Sequence, residues 1–120
     1  MAQNQETVAL VDPVDAQLAA YNAHDIEKVV MAYSEQVQVY IFPQKLVCSG
    51  REELRNIYEE IFRVSPEVHA ELLGRQIKKP FIIDHERLTG LQVDGQSTSR
   101  ESLVIYRVET GAISAVWFLP

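Results

Sequence analysis

Imidazole, guanidinium and carboxylate side chains can move protons or hold an oxyanion, and this sequence concentrates them in one β-rich run, Phe81-Ile82-Ile83-Asp84-His85-Glu86-Arg87-Leu88-Thr89-Gly90. Read with the strand period of two, Phe81, Ile83, His85, Arg87 and Thr89 share one face, and Ile82, Asp84, Glu86 and Leu88 share the other. Neither face is purely apolar, so the run reads as one face lining a cavity and one face forming a partly polar interface. His85, with His69 on the preceding strand, is placed to act as an acid/base that titrates near neutral pH. Arg87 offers a fork of donors for a carboxylate or an enolate oxygen. Each has a plainer reading: hydrogen-bonded structural histidines, and a salt bridge from Arg87 to Glu86 or Glu101. Asp84 and Glu86 can be an acid/base pair, but an interface network is the favoured reading. His69-Ala70-Glu71 with His85 falls short of the dense ligand spacing of a metal site, so no metal is expected.

Composition narrows the function classes. The chain has 120 residues, 47% of them hydrophobic and 23% charged, which suits one soluble domain with a single core. A net charge of −6 argues against a nucleic-acid partner, and Arg75, Lys78 and Lys79 read as a solvated hairpin end. Cys48 is the only cysteine, so no internal disulfide can form, and it reads as a small buried apolar residue. Met1 to Glu6 lacks the apolar core of a signal peptide, and no run approaches a membrane span. The expectation is a cytoplasmic protein with no membrane partner.

The elements that must position these groups follow from periodicity. Residues 1–11 read as a tail, and a single domain is expected over 12–120. Asp12-Pro13-Val14-Asp15 reads as a helix start, followed by the stripe Val14, Leu18, Tyr21. Asn22-Ala23-His24 breaks the helix, with His24 read as a solvated turn residue or a helix C-terminal interaction, and Asp25 caps a second helix carrying Ile26, Val29, Val30 and Tyr33. Val37 to Phe42 alternates like a strand and stops at Pro43. Ser49-Gly50 precedes a third helix whose stripe of Leu54, Ile57, Tyr58, Ile61 and Phe62 is the strongest helical signal present. Strands follow over Val68–Lys78 (Gly74 a possible bulge), Phe81–Leu91, Arg100–Glu109 and Ala112–Leu119, with turns at Asp94-Gly95 and Thr110-Gly111. The order α-α-β-α-β-β-β-β makes an α+β domain, a curved, mostly antiparallel sheet around three helices with a blind cavity between the layers.

Three stretches carry a family resemblance. Ala20-Tyr21-Asn22-Ala23-His24-Asp25-Ile26, Gly50-Arg51-Glu52-Glu53-Leu54-Arg55, and the ending Ile105-Tyr106-Arg107-Val108, Gly111, Ile113, Val116-Trp117-Phe118 resemble the nuclear transport factor two-like superfamily. Within it the chain is most similar to the ketosteroid-isomerase-like and SnoaL-like group. The resemblance spans Val14 to Pro120 and implies a cone-shaped α+β barrel that dimerises through its sheet. The isomerase of that group uses a first-helix tyrosine, an aspartate base and a protonated aspartic acid. Gln17, Ile41 and about Val104 fall at those positions, and none can make the corresponding proton transfer, although Gln17 can donate a hydrogen bond. The same alignment implies that Phe81, Ile83, His85, Arg87, His69, Ser102 and Tyr106 line the cavity and that Asp84, Glu86 and Glu101 face the dimer. Tyr40, Tyr58, Phe62, Tyr106 and Phe118 can supply an aromatic wall.

The expected function is therefore binding of a small, partly apolar molecule, with proton transfer next to a carbonyl of the isomerase, cyclase or lyase type. His85, helped by His69, would be the acid/base, with Arg87 or Tyr106 stabilising the oxyanion and no organic cofactor. A non-catalytic ligand-binding or dimerisation module is the reading from another class. A homodimer through the outer sheet face is implied by the resemblance.

Overall fold

The computed structural model describes residues 5–120. Its elements are α1 (Gln5–Asn22), α2 (Ile26–Met31), β1 (Tyr33–Ile41), β2 (Lys45–Ser49), α3 (Arg51–Val64), β3 (His69–Lys78), β4 (Phe81–Val93), β5 (Gln96–Glu109) and β6 (Ala112–Leu119). The six strands form one sheet in the order β2-β1-β6-β5-β4-β3. Only the β1–β6 pair is parallel; the rest are antiparallel. The three helices cover one face of this curved α+β sheet.

Several boundaries differ from the sequence reading: β1 starts at Tyr33 rather than Val37, β4 runs on to Val93, and β5 starts at Gln96 rather than Arg100. Helix α1 begins at Gln5, well before Asp12, and Pro13 lies inside it. A proline there removes a backbone donor. Burial of Leu10, Val11 and Val14 against the core favours continuing the helix through it. Strand β2, between Pro43 and Gly50, was not foreseen. Its burial pattern is almost wholly exposed, so it carries no alternation to read, and it exists by pairing with β1. Tyr33, expected on the second helix, instead starts β1, buried to 2% exposure.

The Asn22–Asp25 break does more than turn the chain. The Asn22 side chain donates to Ala70 O (2.9 Å) and accepts from Ala70 N (2.7 Å). His24 Nε2 lies 2.8 Å from Val68 O, and its ring stacks on Phe62 at 4.4 Å. His24 is therefore an anchor between α1 and β3 rather than a solvated turn residue. Asp25 caps α2 as expected, accepting from Lys28 N at 3.1 Å. Cys48 is buried, and burial, with Glu53 nearby, pushes its thiol up to about 11.

Two bulges shape the long strands. One falls at Leu73–Gly74 on β3, where the register shifts between Leu72↔Glu86 and Gly74↔His85. The other falls on β4, where Thr89 and Gly90 stand opposite Ser99 alone, between Leu88↔Arg100 and Leu91↔Thr98. Gly90 has φ +72°, and a Cβ on it would lie 2.2 Å from the Glu67 carbonyl oxygen, so only glycine fits.

Candidate functional site

Register decides which side chains meet the helices. Across β4 and β5, Ile82 pairs with Tyr106, Asp84 with Val104, Glu86 with Ser102 and Leu88 with Arg100. These pairs face inward: Ile82, Asp84, Glu86, Val104 and Tyr106 are all buried. The inner and outer faces of β4 are therefore opposite to the expectation. His85 is on the outer face, where its Nε2 lies 2.8 Å from Glu101 Oε1. Arg87 reaches Glu71 (3.2 Å) and Glu101 (3.5 Å) on that same face. His69 is exposed at the start of β3, opposite Thr89, whereas His85 stands opposite Gly74. Four residues of β4 separate those positions, about 13 Å, so the two imidazoles do not converge.

Between the helices and the inner sheet face lies a cavity of about 460 Å³. Its wall is mostly apolar, built from Leu18, Val39, Leu54, Ile57, Ile61, Leu88, Leu91 and Val116, with Ile41, Val47 and Phe118 also lining it. Of the expected lining residues, Gln17, Tyr58, Ser102, Tyr106 and Phe118 are there. Phe81, Ile83, His85, Arg87 and His69 are not, because of the face they occupy. Tyr40 is outside too, stacked on Trp117 at 5.6 Å. Phe62 sits behind the wall, packed edge-on against Tyr21 at 5.3 Å. Glu86, Tyr21, Tyr33 and Arg100 line the cavity without having been singled out for it. Tyr21 and Tyr33 sit on stripes that the helical period did mark as apolar. Glu86 and Arg100 carried no signal beyond strand parity.

Asp84 and Glu86 are both buried on this face, yet their surroundings differ. Asp84 accepts from Arg75 Nε (2.7 Å) and Nη2 (3.0 Å), and Arg75 Nη1 donates to Asp15 at 2.8 Å. That clamp joins α1, β3 and β4 and keeps Asp84 in a structural ion pair. Among the described residues Glu86 makes no salt bridge; Tyr106 Oη donates to its Oε2 at 3.0 Å and lies 3.3 Å from Gln17 Oε1. Burial, with the Asp84 charge adding to it, pushes the Glu86 carboxyl up to about 7, against the lowering effect of the Tyr106 bond and Arg75. Tyr106 is held well above the ordinary phenol range, first by burial and then by Glu86, so it remains a donor. Tyr33 and Tyr58 bond each other through their hydroxyls at 2.9 Å. Burial, with Glu86 close by, also raises the Tyr21 hydroxyl, to about 12.

A carboxyl group titrating near neutrality in an apolar cavity can accept a proton from a bound molecule and return it. Among the described residues, no group of three or more His, Cys, Asp or Glu side chains is gathered for a metal. No helix there is long and apolar enough to cross a membrane.

The sequence pattern of the SnoaL-like domain matches residues 14–116, and the chain belongs to that family. This places it in the nuclear transport factor two-like superfamily, the class that the helix-lined sheet defines. An uncharacterized cystatin-fold protein from Novosphingobium aromaticivorans is 25% identical, with a TM-score of 0.84 over 92% of this chain and 97% of that one. A protein described as a SnoaL-like polyketide cyclase from Jannaschia sp. CCS1 is 12% identical, with a TM-score of 0.84 over 99% and 90% of the two chains. A protein with the ketosteroid isomerase-like fold from Catenulispora acidiphila, solved in complex with trimethylamine, is 13% identical, with a TM-score of 0.75 over 91% and 85%. No curated protein matches the chain in sequence.

Proposed function

We propose that the protein binds a small, largely apolar carbonyl compound and transfers a proton next to the carbonyl, in chemistry of the isomerase or cyclase type. Glu86 is the acid/base and Tyr106 the donor that orients it. The observation that carries this reading is Glu86 itself, a buried carboxyl with no salt bridge among the described residues, lining a cavity large enough for a ligand. The polyketide-cyclase description of a protein with the same fold is compatible with such chemistry. His85 and Arg87 have no part in it, since each is held by carboxylates on the other face.

The test is deuterium exchange at the α-carbon of 2-tetralone, an apolar ketone, followed by proton NMR in D2O. Wild type should accelerate exchange and Glu86→Gln should lose at least roughly 100-fold. His85→Ala should exchange at the wild-type rate. No acceleration by wild type would leave the cavity as a non-catalytic binding site.

The outer sheet face is proposed as the surface through which two copies of the chain pair. A row of cross-strand neighbours there, Tyr40, Trp117, Ile105 and Ile83, is apolar, and Leu103 beside it is exposed. The Glu71–Arg87–Glu101–His85 network flanks this row. An Ile105→Glu variant should elute as a monomer in size-exclusion chromatography with light scattering, against a dimeric wild type. A monomeric wild type removes this assignment.

A further inference from the structure

The cavity wall holds three polar side chains that make no hydrogen bond or ion pair among the described residues. Arg100 and Ser102 lie on the inner face of β5, opposite Leu88 and Glu86, and Tyr21 faces them from α1. Among the described residues, none of the three side chains makes a hydrogen bond or ion pair with the protein; of the other arginines, Arg55, Arg63, Arg75, Arg87 and Arg107 are ion-paired and Arg51 donates to Tyr33 O. Among the described residues Arg100 is also the one cation on the cavity wall, and it is exposed at its mouth.

We infer that the ligand is an organic acid, an apolar body filling the cavity with one carboxylate bound by Arg100 at the mouth and by the Tyr21 and Ser102 hydroxyls. This rests on the cavity's being a ligand site, and it adds the class of ligand. A guanidinium matches a carboxylate in shape and charge, and hydroxyls supply the remaining donors. Its position matters as much as its identity. At the mouth the ligand's charge keeps part of its hydration, so the desolvation that penalises buried ion pairs is largely avoided. The interior offers an anion nothing comparable: its acid is Glu86, and the Tyr33 and Tyr58 hydroxyls are spent on each other. Arg100 and Ser102 are two residues apart on one strand, on the order of 7 Å, and Ser102 is level with Glu86.

The probes are 2-naphthoate and its neutral counterpart 2-naphthamide, titrated by calorimetry at pH 6 into wild type, Arg100→Met and Glu86→Gln. Arg100 is exposed and holds no other side chain, so its variant should fold as wild type does, checked by circular dichroism. The expected result is a preference for the acid of roughly tenfold or more in wild type and in Glu86→Gln, abolished in Arg100→Met. Equal binding of acid and amide in wild type, or a preference that survives in Arg100→Met, overturns the inference and leaves the Glu86 reading to its own exchange assay. Failure of both probes to bind removes the cavity as a site of this kind and overturns the inference as well.

Discussion

Asp84 and Glu86 stand two residues apart on the inner face of β4, and only Asp84 is held by a guanidinium. One carboxylate is thereby committed to the fold, and the other is left to titrate. The electrostatics of the cavity follow from that difference, and so do the first three predictions.

Glu86 should make the protein less stable as pH rises. Its folded carboxyl titrates at about 7, above the ordinary 4.5, so the folded state keeps a proton that the unfolded chain has released. Between those values the folded state binds more protons, and stability falls with rising pH; above about 7 the loss is complete. Glu86→Gln removes this component. Urea unfolding of the two proteins should show the variant gaining on wild type by about 3 kcal/mol between pH 4 and pH 8. A constant difference across that range would contradict the buried, unpaired state of Glu86.

Tyr106→Phe should push the Glu86 titration higher still. The hydroxyl donates to Oε2 and favours the ionised form, opposing the effect of burial. Its removal should raise the midpoint by about one pH unit, read from the carboxyl infrared band or the Glu86 Cδ resonance. A midpoint that stays put would show that this bond does not act on the carboxylate.

Breaking the Arg75–Asp84 pair should be costly. Arg75→Met leaves a fully buried carboxylate without its guanidinium, a loss of about 3–5 kcal/mol in unfolding free energy. The double variant Arg75→Met with Asp84→Asn should recover a substantial part of that. Asp15→Ala, at the exposed end of the same clamp, should cost no more than about 1 kcal/mol.

The two bulge glycines should respond differently to alanine. Gly90→Ala combines φ +72° with a Cβ 2.2 Å from the Glu67 oxygen, and should cost roughly 2–5 kcal/mol. Gly74→Ala meets nothing within 4 Å and should change stability by less than about 1 kcal/mol. Thermal melts of the two variants side by side make the comparison.

Much of the architecture was legible locally. The stripe Leu54, Ile57, Tyr58, Ile61, Phe62 marked α3 because a helix repeats its buried face within a few residues, and Leu54, Tyr58 and the cavity-lining Ile57 and Ile61 lie along it. The turns at Asp94-Gly95 and Thr110-Gly111 marked the hairpins because Asp94, Gly95 and Gly111 are residue types that tolerate the positive φ they adopt. The inner face of β5 was also legible, since Ser102 and Tyr106 line the cavity as expected.

The inner face of β4 was not. Carried straight on from the Val93–Gln96 pair at the turn, the hairpin would set Arg87 opposite Ser102 and His85 opposite Val104, uniting the histidine and arginine with the cavity. The bulge at Thr89–Gly90 slips the register by one, so Glu86 takes the place opposite Ser102 and His85 turns outward. That bulge sits where the Glu67 carbonyl, 23 positions earlier in the chain, comes too close for any side chain on residue 90. Residue types therefore determined the elements, the turns and the stock of groups able to carry protons. Which of those groups faces the ligand was decided by a contact between distant segments, because a strand's side chains change face with a one-residue shift.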